Sequence, residues 1–265
     1  MINKIHVAKQ FNRAVPSYEE HAVVQKQMAS DLINGLQQEQ ITPRKILEIG
    51  CGTGVMTEML VRAFPLAQIT ALDLADQMIA EAKCKPALRD VTFITADAEQ
   101  WAGNETEYDV ILSNATIQWF TQPTETLKKW KAWLSPVGKL MLTTFGEKTF
   151  QELHACFQQV EASFNLKPQT HGLLLHSLTN WQEICKEAGF QNIDSEETCI
   201  RLNYLDSRDF LQSIKDTGAS YSQSKEGMGI SFKVLARVMR LYNEQYRTRD
   251  GVYATYHTLR FIVHK

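Results

Sequence analysis

The 265-residue sequence predicts an α/β protein built on a doubly wound, mostly parallel sheet. Three observations carry that prediction. Five short apolar or β-branched runs, KILEIG, QITALDL, VTFITADA, YDVILSNA and GKLMLTTF, recur between Lys45 and Phe145. Helix-like segments separate them, and a glycine turn formed by Gly50, Gly52 and Gly54 follows the first run. Such alternation implies βαβ units with strands buried on both faces.

Ahead of the first strand, Ser17 to Leu36 reads as a helix, because Val24, Met28, Leu32 and Leu36 recur four residues apart and Glu19 and Glu20 fall in its first turn. Lying before the first strand, it is a candidate cover for the binding edge of the sheet. VMTEMLVRAF, DQMIAEAKCK and PTETLKKWKAWL supply the crossover helices. After Phe145 the alternation loosens. Phe150 to Phe164 and Thr179 to Ala188 read as helices, EETCIRLNY as a strand, Asp206 to Thr217 and Ser231 to Tyr246 as two more helices. YATYHTLRFIVHK closes the chain as a strand of near-period-2 alternation, the seventh. The Gly- and Ser-rich stretch Gly218 to Ser231 is expected to be a mobile surface loop. One domain over residues 1–265 is expected, with a helical lid at 1–40, a cofactor-binding core at 45–145, and an insertion after the fifth strand, acceptor-site helices and the last strands at 146–265.

Composition narrows the function. With 44% hydrophobic and 22% charged residues and a net charge of −2, the chain has the make-up of an ordinary globular protein and no overall attraction for nucleic acid or a membrane surface. Its five cysteines are scattered and unpaired in sequence, and the histidines lack ligand spacing, so neither a metal site nor a disulfide framework is expected. No signal peptide or spanning segment is evident, which predicts a cytoplasmic protein.

The glycine turn ends the first strand where a backbone must approach a ligand closely. Its GxGxG spacing differs from the GxGxxG of dinucleotide binders. Three acids refine the ligand. Asp73 ends the second strand, placed to accept the hydroxyls of a ribose, and Asp97 follows the third, placed to accept an exocyclic amine. Glu48, just before the glycines, would repel a pyrophosphate but suits an ammonium or sulfonium cation. Together they favour S-adenosylmethionine over NAD. Cys51 has no neighbouring histidine to activate it and reads as a small packing residue.

LEIGCGTG, ALDLADQMI, ADAEQW and YDVILSNATIQW, in this order and spacing, resemble the cofactor motifs of the class I S-adenosylmethionine-dependent methyltransferases, a Rossmann-like fold. The resemblance covers about Ile46 to Phe145. It implies that Gly50, Cys51 and Gly52 line the methionine moiety, Asp73 holds the ribose, Leu74 and Met78 flank the adenine, and Asp97 and Ala98 meet its edge. Tyr18, Glu48 and Asn114 complete the expected cofactor set, and S-adenosylhomocysteine is the expected product.

The acceptor is read from two further stretches. SNATIQWF offers Asn114, Gln118 and Trp119 but no acid, and lacks the NPPY-type signature of many amino-group methyltransferases. It resembles carboxylate O-methyltransferases of this fold, whose acceptor is already ionised and needs no base. VAKQFNRAVPSYEEHAVVQKQMA and LNYLDSRDFLQSIKDTGA resemble the malonyl-acyl-carrier-protein O-methyltransferases of biotin biosynthesis. That resemblance implies methylation of the free carboxylate of a malonyl thioester on a carrier protein. Tyr18 is then a candidate lid residue donating to the acceptor, or simply a packing residue. Gln118 and Trp119 would shape the acceptor pocket, and Arg13 or Arg201 would pair with the carboxylate unless they are plain surface residues.

A carrier protein is acidic, and Lys233, Arg237, Arg240 and Arg247 are expected on a narrow arc of the helix from Ser231 and its extension. This arc is either a docking face or a solvated cationic one. A monomer or weak homodimer is expected. Two other functions remain open to the sequence: methylation of a free small carboxylic acid of the aconitate type, and a sensor that binds S-adenosylmethionine without transfer.

Overall fold

The computed structural model describes residues 2–103, 107–219 and 232–265. Its parallel core comprises β1 (Lys45–Ile49), β2 (Gln68–Asp73), β3 (Thr92–Thr95), β4 (Tyr108–Asn114) and β5 (Leu134–Phe145), linked by α3 (Val55–Ala63), α4 (Asp76–Lys83) and α5 (Pro123–Trp133). Then come α6 (Gln151–Ser163), α7 (Leu178–Glu187), β6 (Ile193–Tyr204), α8 (Ser207–Asp216), α9 (Phe232–Gln245), β7 (Arg247–Thr248) and β8 (Gly251–His264). The strand order is β3-β2-β1-β4-β5-β8-β6, with β8 antiparallel to both β5 and β6. The seven expected strands form this path. An eighth, the two-residue β7, pairs off it with β8.

Side chains alternate between two buried faces, which is why these strands read as nearly continuous apolar runs. Ile46, Val110, Leu112, Met141 and Ile262 pack under Leu32 and Leu36 of α2 (Val23–Gln38) and under α3. Leu47, Ile111, Leu140, Leu142 and Phe261 face Leu127 and Trp130 of α5 and Trp181 and Cys185 of α7. A third cluster gathers Phe157, Phe210, Val238 and Tyr242 from the late helices around Ala254 and Tyr256 of β8. The sheet's edges are blunted differently. β3 has four residues, whereas β6 carries exposed Glu196, Glu197 and Arg201 along its length.

The N-terminal region differs from expectation. In place of one helix starting at Ser17 there are two, α1 (Lys4–His21) and α2, broken at Ala22, whose ψ of 46° leaves the helical region. Pro16, which reads as the residue before a helix start, lies inside α1. The hydrogen bond it forfeits is offset by tertiary anchors along the helix. Asn12 donates to Asp76 at 2.7 Å and accepts from the amide of Gln77 at 3.0 Å, while the Ser17 hydroxyl donates to the carbonyl of Asp216 at 2.9 Å. Of the expected loop at 218–231, residues 220–231 lie outside the described residues.

β1 and β4 are neighbours whose connections run in opposite directions along the sheet, the switch point at which open α/β sheets leave a crevice beyond their strand ends. The turn after β1 and the segment after β4 therefore meet. Because Phe261 is fully buried on β8, between β5 and β6, Phe261→Ala should lower unfolding free energy by about 3–5 kcal/mol in denaturant titration; a loss below 1 kcal/mol would contradict the described packing.

Candidate active site

At the switch point, Gly50, Gly52 and Gly54 all adopt positive φ, +77°, +56° and +86°. Gly50 must lack a side chain, since a Cβ there would stand 2.0 Å from Thr116 Oγ1. The space above Gly52 is open up to Tyr18, whose ring would be 3.9 Å from an added Cβ. The Gly52 amide donates to Asp73 Oδ2 and the Ala75 amide to Asp73 Oδ1, both at 2.8 Å. Burial raises the Asp73 carboxyl against the lowering effect of these amides, and each oxygen, with one amide donor, keeps a lone pair for a further one.

The crevice is partly open to solvent and is roofed closely by α1. Gly50, Gly52, Asp73, Leu74, Met78, Asp97, Ala98, Asn114, Trp119 and Tyr18 all line it. A second compartment continues past Tyr18, Gly50, Gly52 and Asn114 to Glu48 and Cys51. One compartment thus carries the two strand-end acids and apolar flanks suited to a nucleoside, and the other carries the isolated acid.

Glu48 has zero exposure and neither carboxylate oxygen is hydrogen-bonded. Burial pushes its pKa up to about 8; the nearby Thr57 hydroxyl, itself without a partner in hydrogen-bonding geometry among the described residues, offsets part of the rise, and Asp73 adds to it. An orphaned buried carboxylate is costly unless a cation or donor reaches it. An amino acid ammonium group meets that requirement, and a pyrophosphate would worsen the deficit. The residues present therefore fit S-adenosylmethionine. Cys51 is buried, and burial first, then Asp73 and Glu48, push its thiol well up, away from thiolate chemistry.

α1 roofs the crevice. Phe11 packs edge-on against Trp119 at 5.6 Å between centroids and against Tyr18 at 6.4 Å. Burial, then Asp73 and Glu19, raise the Tyr18 phenol, so it stays protonated and a donor. At the helix start, Lys4 pairs with Glu99 at 2.7 Å and Asp97 at 3.4 Å. Glu99 is itself buried and accepts from the backbone amides of Thr121 and Gln122. Although burial opposes ionisation, Lys4 and these amides hold its carboxyl low. At the helix end, Glu19 pairs with Lys85 at 2.7 Å, and Lys85 reaches Glu58 at 3.2 Å.

The sequence assigns no site role to Lys4, Phe11 or Glu99, although Phe11 and Glu99 lie within its quoted motifs. The signal for α1 was present as Val7, Phe11, Ala14 and Tyr18, an i, i+4, i+7, i+11 stripe interrupted in appearance by Pro16. Gln118 does not line the crevice; its amide donates to the carbonyl of Ala115 at 2.7 Å and accepts from Thr144 at 2.9 Å. Arg13 is exposed on α1 and outside the lining, while Arg201 is exposed on β6 and stacks over the Tyr253 ring at 4.7 Å. Lys233, Arg237 and Arg240 are exposed on α9, but Arg247 lies in β7, because the helix ends at Gln245. His171 pairs with Glu161 at 2.6 Å and His257 with Glu197 at 2.8 Å. Among the described residues no group of three or more His, Cys, Asp or Glu could hold a metal, and no helix is long and apolar enough to cross a membrane.

This sheet order with a glycine turn, an orphaned acid and a nucleoside compartment is that of a class I S-adenosylmethionine-dependent methyltransferase. A methyltransferase-domain family model matches residues 20–195. The fold is shared with the YcgJ protein of Bacillus subtilis, with TM-score 0.61, 12% identity, and coverage of 89% of this chain and 98% of that one. It is shared too with Haemonchus contortus phosphoethanolamine N-methyltransferase 2 in complex with S-adenosyl-L-methionine, with TM-score 0.51, 23% identity, and coverage of 84% and 49%. In sequence the chain is 40% identical to the malonyl-[acyl-carrier protein] O-methyltransferase of Paenibacillus sp. (strain JDR-2), covering 97% of each chain. The Bacillus cereus enzyme of the same name is also 40% identical, over 98% of this chain and 96% of its own. The chain belongs to the malonyl-[acyl-carrier protein] O-methyltransferase family.

Glu48 gives stability a pH dependence of definite sign. Its native pKa near 8 exceeds the ordinary value of 4.5, so the native state holds the proton longer than the unfolded one. Its contribution is complete below the unfolded value and is lost as pH rises to about 8, with a slope of at most about 1.4 kcal/mol per pH unit. Thermal unfolding of the ligand-free protein should show this decline, and Glu48→Gln should flatten it; parallel profiles for the two proteins would refute the assignment.

Proposed function

We infer that this protein transfers the methyl group of S-adenosylmethionine to the free carboxylate of a malonyl thioester carried on acyl-carrier protein. The near full-length likeness to enzymes of that name carries the acceptor, and the orphaned Glu48 beside the nucleoside compartment carries the cofactor. S-adenosylmethionine supplies a methyl group activated by a sulfonium sulfur and leaves as S-adenosylhomocysteine. The chain's task is to bind, align and keep dry. Asp73 would accept from the ribose hydroxyls, Asp97 and Ala98 would meet the adenine edge, Leu74 and Met78 its faces, and Glu48 the ammonium group.

The acceptor is already a nucleophile, so no base is required. A strong cationic clamp would lower its reactivity by stabilising the charge that the transition state disperses. The cavity conforms to that requirement: its lining cations, Lys4 and Lys26, are both engaged, Lys4 by Asp97 and Glu99 and Lys26 by the carbonyl of Glu19. Arg13 and Arg201 stand outside it. Neutral donors, the phenol of Tyr18 and the second amide N–H of Asn114, would orient the carboxylate instead, with Phe11 and Trp119 forming the dry wall. Esterification masks the malonyl charge, the role that the resemblance assigns to the first step of biotin-chain assembly. The exposed Lys233, Arg237 and Arg240 face of α9 would receive the acidic carrier. Unpaired thiols and a carrier-bound substrate fit a cytoplasmic enzyme acting as a monomer or weak homodimer, with no nucleic-acid or membrane partner.

Incubation with methyl-labelled cofactor and malonyl carrier protein should give base-labile label on the carrier. Equal labelling of free malonate or an aconitate-like acid would assign the small-acid activity, and tight cofactor binding with no labelled acceptor would assign the sensor. Arg237→Glu combined with Arg240→Glu should raise KM for the carrier form about tenfold with cofactor affinity unchanged; unaltered carrier kinetics would remove α9 as the docking face. Because Glu48 must ionise to receive a cation, cofactor binding should release up to one proton below pH 8, read as a buffer-dependent calorimetric enthalpy that vanishes in Glu48→Gln.

A further inference from the structure

β4 ends in a strained turn. Ala115 has φ of +49°, a conformation costly for an L residue outside glycine, asparagine and aspartate. Such strain persists where the surroundings over-determine it. Two bonds hold this residue: its amide donates to the carbonyl of Thr143 at 3.0 Å, and its carbonyl accepts from Gln118 Nε2 at 2.7 Å. The Gln118 amide is in turn oriented by the buried Thr144 hydroxyl, which donates to Oε1 at 2.9 Å. Both ends of the carboxamide are thus occupied inside the fold.

The turn decides where its neighbours go. Thr116 is brought against Gly50 so closely that no Cβ fits between them, and its hydroxyl donates to the carbonyl of Asn114 at 2.9 Å. Asn114 sits at the junction of the two cavity compartments, with its amide donating to the carbonyl of Gln25 at 3.0 Å and accepting from Thr143 at 2.6 Å. A relaxed Ala115 would swing Thr116 and Asn114 relative to the glycine turn that faces the cofactor.

We propose that Gln118 is a positioning residue: its carboxamide clamps the Ala115 carbonyl in the left-handed turn and so keeps Thr116 and Asn114 in register with Gly50 at the cofactor cavity. Its side chain acts on the reaction through the backbone of the β4 turn and not by touching the acceptor. This rests on the methyltransferase reading only for the choice of ligand.

The sequence had suggested the opposite role, a wall of the acceptor pocket, and the two roles separate in experiment. Calorimetry with S-adenosylhomocysteine alone is the primary readout. Gln118→Ala should weaken that affinity about tenfold, because the cofactor side of the turn is released, with a parallel fall in kcat/KM. Adding Ala115→Gly to Gln118→Ala should restore most of both, since glycine adopts the left-handed turn without a clamp. Thr144→Val, which leaves the carboxamide without its orienting donor, should give a smaller loss in the same direction. Unchanged affinity in Gln118→Ala together with a raised acceptor KM would overturn the clamp in favour of direct acceptor contact. A double variant no better than Gln118→Ala would overturn it as well. Failure of the unaltered protein to bind S-adenosylhomocysteine would instead strike the methyltransferase reading.

Discussion

The buried carboxylate of Glu48 is the constraint to which the rest of this site answers. It stands on β1 with no exposure and no hydrogen bond to either oxygen, so in the absence of a ligand it is stable only by keeping its proton. That condition is expensive to build and useful to have. A site that must neutralise a lone acid selects a cation-bearing ligand and rejects a pyrophosphate, although the strand-turn-helix beneath it is the element that elsewhere binds pyrophosphate. Asp73, the second acid of the cluster, has both oxygens tied to the amides of Gly52 and Ala75. The two carboxylates therefore divide their work, one fixed by the backbone to meet neutral hydroxyls and one left unpaired to meet charge.

A site defined by an unpaired charge must exclude water, and α1 supplies the roof. It is a poor helix on its own account, with Pro16 inside it and few buried residues. What holds it are polar anchors at its ends and middle, Lys4 to Asp97 and Glu99, Asn12 to Asp76, and Glu19 to Lys85. Anchors of this kind are individually modest and exchange readily with water. An element so held can leave and return without disturbing the core, as ligand exchange requires. Glu99 differs from the other anchors because it is buried and also binds the amides of Thr121 and Gln122. Through it the nucleoside side, the segment after β4 and the roof share one carboxylate, which links closure of the roof to the arrangement of the acceptor wall.

The core was legible because parallel strands covered on both faces leave a simple record. Ile46 and Leu47, or Ile111 and Leu112, are apolar in succession because each faces a different helix layer. The cofactor residues were legible for a related reason: they sit at strand ends, where position along the chain nearly determines position in space. A lid over residues 1–40 was legible, but no helix was assigned from Lys4 to Pro16, because a proline inside a helix is tolerated only through tertiary contacts that no local pattern records. The reach of the basic arc failed at Arg247 since a helix period continues on paper where the chain has already entered β7. Gln118 could be singled out as important from NATIQW, but its partners, Ala115 and Thr144, lie in a turn and on a neighbouring strand. Their meeting depends on the β4 to β5 register, which brings Asn114 opposite Thr143.

That last case bears on how an acceptor carboxylate is handled. Arginine pairs would have been the simplest device to propose for holding it, yet Arg201 is occupied by the Tyr253 ring and Arg13 lies outside the cavity. Lys4, which does line the cavity, is already neutralised by two acids. A nucleophilic anion in a low-dielectric cavity gains reactivity from being under-solvated, and a fixed cation beside it would remove that gain. The donors that face the acceptor from α1 and the end of β4, the Tyr18 phenol and the Asn114 amide, are neutral, so orientation is supplied without charge. The long-range attraction that brings an acidic carrier to the enzyme can then come from the distant cations of α9, where it speeds encounter and leaves the electrostatics of the reacting pair untouched.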